Sequence, residues 1–111
     1  MDRLFSAVEG NYNAFRMILA ALLTLRGIPQ LYYGTEILMD GFKVKGDGTL
    51  RQDFPGGWPE DNRNAFTAEG RYPEEQKARE FLRRLLNWRK TKAAVHTGII
   101  ATMIRIRLWL F

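Results

Sequence analysis

The sequence predicts an α/β chain of one and a half βα repeats. Three observations lead there: an apolar helical run at residues 11–26 closed by glycine and proline, a short aromatic run at 29–33, and a second, amphipathic helical pattern at 73–92. At 111 residues the chain is at most one modest domain, or a piece of one. A helix joined to a strand by two or three residues is an αβ unit, and the strand of such a unit is expected inside a parallel sheet.

Residues 11–26 read NYNAFRMILAALLTLR, with good helix formers, no internal breaker and apolar side chains at nearly every position after Phe15. A helix apolar nearly all round is expected to be buried. Asn11 or Asn13 would cap it, Gly27 stands where a left-handed C-terminal residue is wanted, and Pro29 prevents continuation. Residues 29–33, PQLYY, are closed by Gly34 and suit a short strand buried on both faces. From 38 to 72 six of the ten glycines gather with aspartate, asparagine and proline. No period of 2 or 3.6 persists there, so a long functional loop is expected. Phe42, Phe54, Trp58 and Phe66 are anchors that a disordered linker lacks. Residues 73–92 set Ala78, Phe81, Leu82, Leu85, Leu86 and Trp88 on one helical stripe. Pro73 suits the first helical position, Glu74 and Glu75 the positive end, and Arg89, Lys90 and Lys92 the negative end. Residues 104–108 alternate Ile, Arg, Ile, Arg, Leu, but a lone strand with nothing to pair against is unstable and prone to aggregate.

The net charge of +5 divides into 0 over residues 1–50, +3 over 51–98 and +2 over 99–111. Most of the excess lies on one helix with acids interleaved, which reads as a solvated face, so no nucleic-acid partner is expected. Without cysteine, and with His96 as the single histidine, thiolate and histidine-cluster metal sites drop out. His96 has no nucleophile beside it and is read as structural. The longest apolar stretch, 17–23, falls far short of the ~20 residues needed to cross a bilayer, so no membrane partner is expected. The opening residues carry no signal-peptide pattern, and nothing in the composition assigns a compartment.

No phosphate-binding, zincin or nucleophile-elbow pattern occurs. In a βα architecture ligands meet the loops that leave the C-terminal ends of strands. The polar residues of the long loop are therefore the first candidates: Asp40, Asp47, Arg51, Gln52, Asp53, Asp61, Asn62 and Arg63. Carboxylates and guanidinium forks suit sugar hydroxyls, and Tyr32, Phe54 and Trp58 would stack on a sugar ring. Asp47 and Arg51 are spaced to pair across a turn, an arrangement that serves a structural salt bridge as well as a ligand clamp. Glu36 and Asp40 stand near the expected strand end, and glycosidic hydrolysis needs two carboxylates, but Glu36 would equally hold the adjoining loop.

RGIPQLYYGTEI closely resembles the GxPxxYYGxE segment that forms the eighth barrel strand of the α-amylase superfamily, glycoside hydrolase family 13. DGTLRQDFPGGW and PEEQKAREFLRRLLNWRKTKAAVHTG are similar to neopullulanase, cyclomaltodextrinase and related members of bacterial glycan-degrading systems. The resemblance runs over residues 2–98, nearly nine tenths of the chain. It implies a fragment of a TIM (β/α)8 barrel, mostly helical as an isolated chain. Residues 11–26 would be the seventh helix, 29–33 the eighth strand and 73–91 the eighth helix, with the long loop between the last two. Residues 1–95 would form the C-terminal part of the catalytic barrel, and 96–111 a truncated or frame-shifted lead-in to the C-terminal β-sandwich, because IIATMIRIRLWLF matches nothing in the family.

The family's retaining mechanism uses an aspartate nucleophile, a glutamate acid/base and a second aspartate in an NHD motif. Met1, Asp2 and Arg3 resemble the residues that follow that motif, which implies that all three carboxylates stand upstream of Met1 and that this chain carries no catalytic residue. Asp47 and Arg51 match, at the same spacing, an aspartate and an arginine that contact glucose units on the non-reducing side of the cleavage point. Glu36 matches a structural motif. Tyr72 stands where relatives have Thr or Ser, a lost helix cap worth ~1 kcal/mol.

The implied function is part of a retaining α-glucan hydrolase acting on starch, maltooligosaccharides or related α-glucans. This chain would supply a substrate-binding loop through Asp47 and Arg51 and be inactive alone. The alternative of a different class is a small non-enzymatic maltooligosaccharide-binding module. No cofactor is expected; calcium belongs to full-length members of the family, and no residue here points to it. The expected partner is the α-glucan. Self-association is expected through exposed barrel edges, since one strand and two helices leave strand edges unpaired and an apolar helix partly uncovered.

Overall fold

The computed structural model describes residues 1–98, and its regular elements are all helical. They are α1 (Leu4–Ala7), α2 (Tyr12–Thr24), α3 (Asp47–Leu50), α4 (Pro73–Lys90) and α5 (Ala93–Thr97), with 3-10 turns at Thr35–Ile37 and Lys43–Lys45. The alternating pattern at 104–108 and the altered ending at 99–111 lie outside the described residues.

The α/β expectation, a TIM (β/α)8 barrel fragment holding an eighth strand, is overturned: among the described residues there is no strand and no sheet. The physical reason lies in where the backbone groups of residues 29–33 go. A strand exists through its ladder, and among the described residues no other segment pairs with this one. The Tyr33 carbonyl instead accepts from Arg3 Nη1 at 2.7 Å, and the Tyr32 carbonyl accepts from the Thr35 amide at 3.2 Å and hydroxyl at 2.6 Å. These bonds turn the chain at Gly34, whose φ of 79° favours glycine and where a Cβ would stand 2.2 Å from Met39 Sδ.

Helix α2 begins at Asn11, whose side chain accepts from the Ala14 amide at 3.0 Å. It ends at Thr24, short of the glycine expected to close it. Arg89 of α4 explains the early exit, since its guanidinium donates to the carbonyls of Leu23 and Gly27. The Leu23 carbonyl, in the last turn of α2, is thus taken by a side chain from another helix.

One face of α2, Phe15, Leu19 and Leu23, is fully buried against Ala78 and Leu82 of α4. Phe5 meets the Phe15 ring edge-on at 5.9 Å, and Tyr12 lies over it at 6.1 Å. The other face is open: Met17, Ile18 and Leu25 are exposed, contrary to the all-round burial expected from composition. On α4, Ala78 and Leu82 are buried and Phe81, Leu85 and Leu86 pack at the margin, while Trp88 falls off the stripe and is exposed. Helix α4 also packs on the turn at Thr35–Ile37, where Ile37 is buried.

The segment 38–72 is ordered by its own polar bonds. Arg63 grips the Glu75 carboxylate with two bonds of 2.8 Å, donates to the Gly70 carbonyl at 3.1 Å and lies 4.4 Å from the Tyr72 ring centre. Glu75 also accepts from the Tyr72 amide at 3.0 Å, which restores one half of the cap that the Tyr72 side chain does not make. The Asp61 carboxylate accepts from the amides of Gly56 at 2.7 Å and Trp58 at 3.2 Å, and Phe54 stacks on Phe66 at 4.5 Å.

Candidate functional site

The open face of α2, the first four residues, residues 30–32 and the loop after the Thr35–Ile37 turn line an open cavity of about 520 Å³. Leu4, Ile18, Leu22, Leu31 and Leu50 supply most of its apolar lining, and Tyr32 adds a half-exposed ring. Asp2, Lys43, Asp47 and Arg51 bring charge to the same space.

The short helix α3 places two of these charges. Gly46, at a φ of 97°, turns the chain into it, and the Thr49 hydroxyl secures the turn by donating to the carbonyls of Phe42 at 2.8 Å and Gly46 at 2.9 Å. The Arg51 amide donates to the Asp47 carbonyl at 3.1 Å, closing a single turn. Residues four apart on a helix share a face, so Asp47 and Arg51 line the cavity together. Their side chains do not form the ion pair that the spacing suggested. The Asp47 carboxylate pairs with Lys43 Nζ, four residues before it, while the Lys43 amide donates to Asp2 Oδ1 at 2.6 Å. The hydrogen bond and charge of Lys43 hold the Asp47 carboxyl below its ordinary range, with a smaller contribution from Arg51. Sequence reasoning missed Lys43, although a lysine four residues before an aspartate is itself a readable pairing signal.

Arg3 braces the far side. It is 94 % buried, at 6 % exposure, and its Nε donates to the Leu50 carbonyl at 2.9 Å while Nη1 reaches the Tyr33 carbonyl. Its guanidinium carbon lies 4.8 Å from the Tyr32 ring centre and 4.7 Å from that of Tyr33. The Tyr33 hydroxyl donates to the Gln52 carbonyl at 2.8 Å; partial burial, then the neighbouring Tyr32, raise its pKa, and Arg3 works in the opposite sense. Gly41 sits where this brace leaves no room for a side chain, since a Cβ there would stand 2.4 Å from the Thr49 carbonyl oxygen.

The other residues named from sequence are placed elsewhere. Asp40, Asp53, Phe54, Trp58, Asp61, Asn62 and Arg63 do not line the cavity, and Asp61 and Arg63 are spent on the loop's own bonds. Gln52 donates to the Thr49 carbonyl at 2.8 Å. Glu36 lies in the 3-10 turn, away from the lining. The His96 ring bonds the Arg89 carbonyl at 2.8 Å.

Chemically, the cavity offers an ionised acceptor in Asp47, guanidinium donors in Arg51, an aromatic face and apolar walls. That set suits a neutral ligand carrying many hydroxyls above an apolar ring face. A carboxyl held below its ordinary range is a poor proton donor near neutrality, so Asp47 does not suit the role of general acid. Among the described residues no group of three or more His, Asp or Glu side chains stands together. No helix among them is long and apolar enough to cross a membrane. No protein-family model matches this chain.

Proposed function

We propose that the chain supplies an α-glucan-binding surface to a retaining α-glucan hydrolase and does not itself cleave the glycosidic bond. One observation carries the reading: Asp47 and Arg51, the two residues that the resemblance to glycoside hydrolase family 13 implicates in contacts with glucose units, line a single cavity together with the Tyr32 ring. The acceptor, the fork and the ring are what successive glucose residues require. Cleavage with retention needs a nucleophile and an acid/base flanking the bond, whereas the two carboxylates that line this cavity, Asp2 and Asp47, are both engaged by Lys43, through its amide and its ammonium group.

Calorimetric titration of the chain with maltoheptaose tests the proposal. Saturable heat is expected, weakened by roughly tenfold in D47N and in R51Q, the factor that one charge-assisted hydrogen bond carries. Absence of heat at millimolar sugar rejects the binding role, and release of reducing ends by the chain alone rejects the non-catalytic one.

A further inference from the structure

We infer that Arg3 is a positioning residue for the cavity, tying the segment that carries the Tyr32 ring to the Arg51 end of α3; this rests on the reading of the cavity as a glucan site. Burying a guanidinium is costly unless its donors are used. Arg3 uses them on two carbonyls 17 residues apart, those of Tyr33, next to the lining residue Tyr32, and of Leu50, itself a lining residue. Its own amide adds a bond of 3.0 Å to the Gly41 carbonyl, midway between them. Among the described residues Nη2 has no partner and no carboxylate pairs with the group; the carbonyl dipoles and the two tyrosine faces hold the charge.

The geometry is specific to a planar fork. A guanidinium can address two carbonyls in different directions while its face lies on an aromatic ring. An ammonium at the same place keeps the charge but loses the fork, and with it the link between the Tyr33 and Leu50 carbonyls. Fixing the Leu50 carbonyl fixes the peptide that carries Arg51; the Tyr33 carbonyl anchors the residue next to Tyr32, whose ring lies 4.8 Å from the guanidinium carbon. Arg3 therefore acts on the ligand through those two residues.

The test compares the wild-type chain with R3K, R3Q and L85A. L85A is a destabilising control, because Leu85 packs at the core margin on α4 and lies outside the cavity. Two readouts are taken on each: nuclear Overhauser contacts between the Tyr33 ring and Gln52 in the sugar-free protein, and maltoheptaose affinity by calorimetry. R3K and R3Q are expected to lose the Tyr33 contacts while keeping those between Phe5 and Phe15, and to bind sugar about fivefold more weakly, the factor of one ordinary hydrogen bond. L85A is expected to unfold at lower temperature with both readouts intact. Retained Tyr33 contacts in R3K overturn the inference, as does an equal loss of affinity in L85A. If the wild-type chain takes up no maltoheptaose, the glucan reading falls, and the sugar-free contacts still decide whether Arg3 ties the two segments.

Discussion

The long loop is fastened to α4 through Glu75, and replacing that residue by glutamine is the sharpest probe of how the chain holds its shape. The side-chain exposures of Arg63 and Glu75 are 27 % and 11 %, so the pair lies between a surface ion pair, worth ~0–1 kcal/mol, and a fully buried one, whose disruption costs ~3–5 kcal/mol. Glutamine keeps the shape and one carbonyl acceptor but loses the charge, leaving the Arg63 fork half paired and the Tyr72 amide without its ionised acceptor. We expect a loss of ~2 kcal/mol, which at a urea slope of ~1–2 kcal/mol/M moves the midpoint down by ~1–2 M. Circular dichroism at the helical band during urea unfolding measures it. Glu74 is the control, since it is exposed beside Glu75 in the same first turn and E74Q should cost under ~0.5 kcal/mol. A double-mutant cycle with R63Q should return a coupling of ~1–2 kcal/mol. A midpoint for E75Q within about 0.2 M of wild type, or an equal shift in E74Q, refutes the reasoning.

Three further perturbations follow from the same contacts. Arg89→Ala leaves the Leu23 and Gly27 carbonyls without donors, so a loss of ~2 kcal/mol is expected, with faster amide exchange at Leu25, the last amide bonded back into α2; unchanged exchange there refutes the link between the helices. Gly34→Ala forces a side chain into a left-handed position against Met39, and a loss of ~1–2 kcal/mol in thermal unfolding is expected, the lower end if the Met39 side chain swings away. The Glu80 carboxyl, bonded first by Arg83 and then by Arg84, is held down to about 2 in place of its ordinary 4.5. Because the folded value is the lower one, its contribution is present above the ordinary value and is lost as pH falls from there toward about 2. An NMR titration midpoint for Glu80 near its ordinary value would contradict the two arginine contacts.

What was legible in the sequence follows the range of the interaction. Helices α2 and α4 rest on bonds four residues apart and on local caps, and Asn11, Pro73 and the Glu74–Glu75 start were readable for that reason. That residues 29–33 form no strand was not readable, because a strand is completed by a neighbour and the aromatic run PQLYY says nothing about whether one is there. The same non-local logic removed Gly27 as the helix cap. Its place was taken by Arg89, 62 residues later, a partner that no local pattern announces. The opening of α2 is a third case. Composition tells that Met17, Ile18 and Leu25 are apolar, and only the packing tells which face has a partner.

The candidate site shows the same division at finer scale. A long loop must satisfy its own backbone amides and carbonyls, and aspartate, asparagine and arginine are the side chains that do so, so a dense polar loop is an ambiguous sign of ligand contact. Asp61 and Arg63 proved to be of that structural kind: one caps a turn through two amides, the other grips Glu75. Asp47 and Arg51 differ because a single helical turn sets them on one face, and the residue spent on Asp47 is the exposed Lys43 rather than a backbone group. An exposed pair of this kind opens at little cost when a ligand offers a competing hydroxyl, whereas the half-buried fork on Glu75 opens at a higher one. The residues available for binding are therefore those whose internal bonds are cheap to exchange. By that criterion the loop divides into a fixed half around Arg63 and Glu75 and an exchangeable half around Lys43, Asp47 and Arg51, with Arg3 bonded to the Leu50 carbonyl beside Arg51.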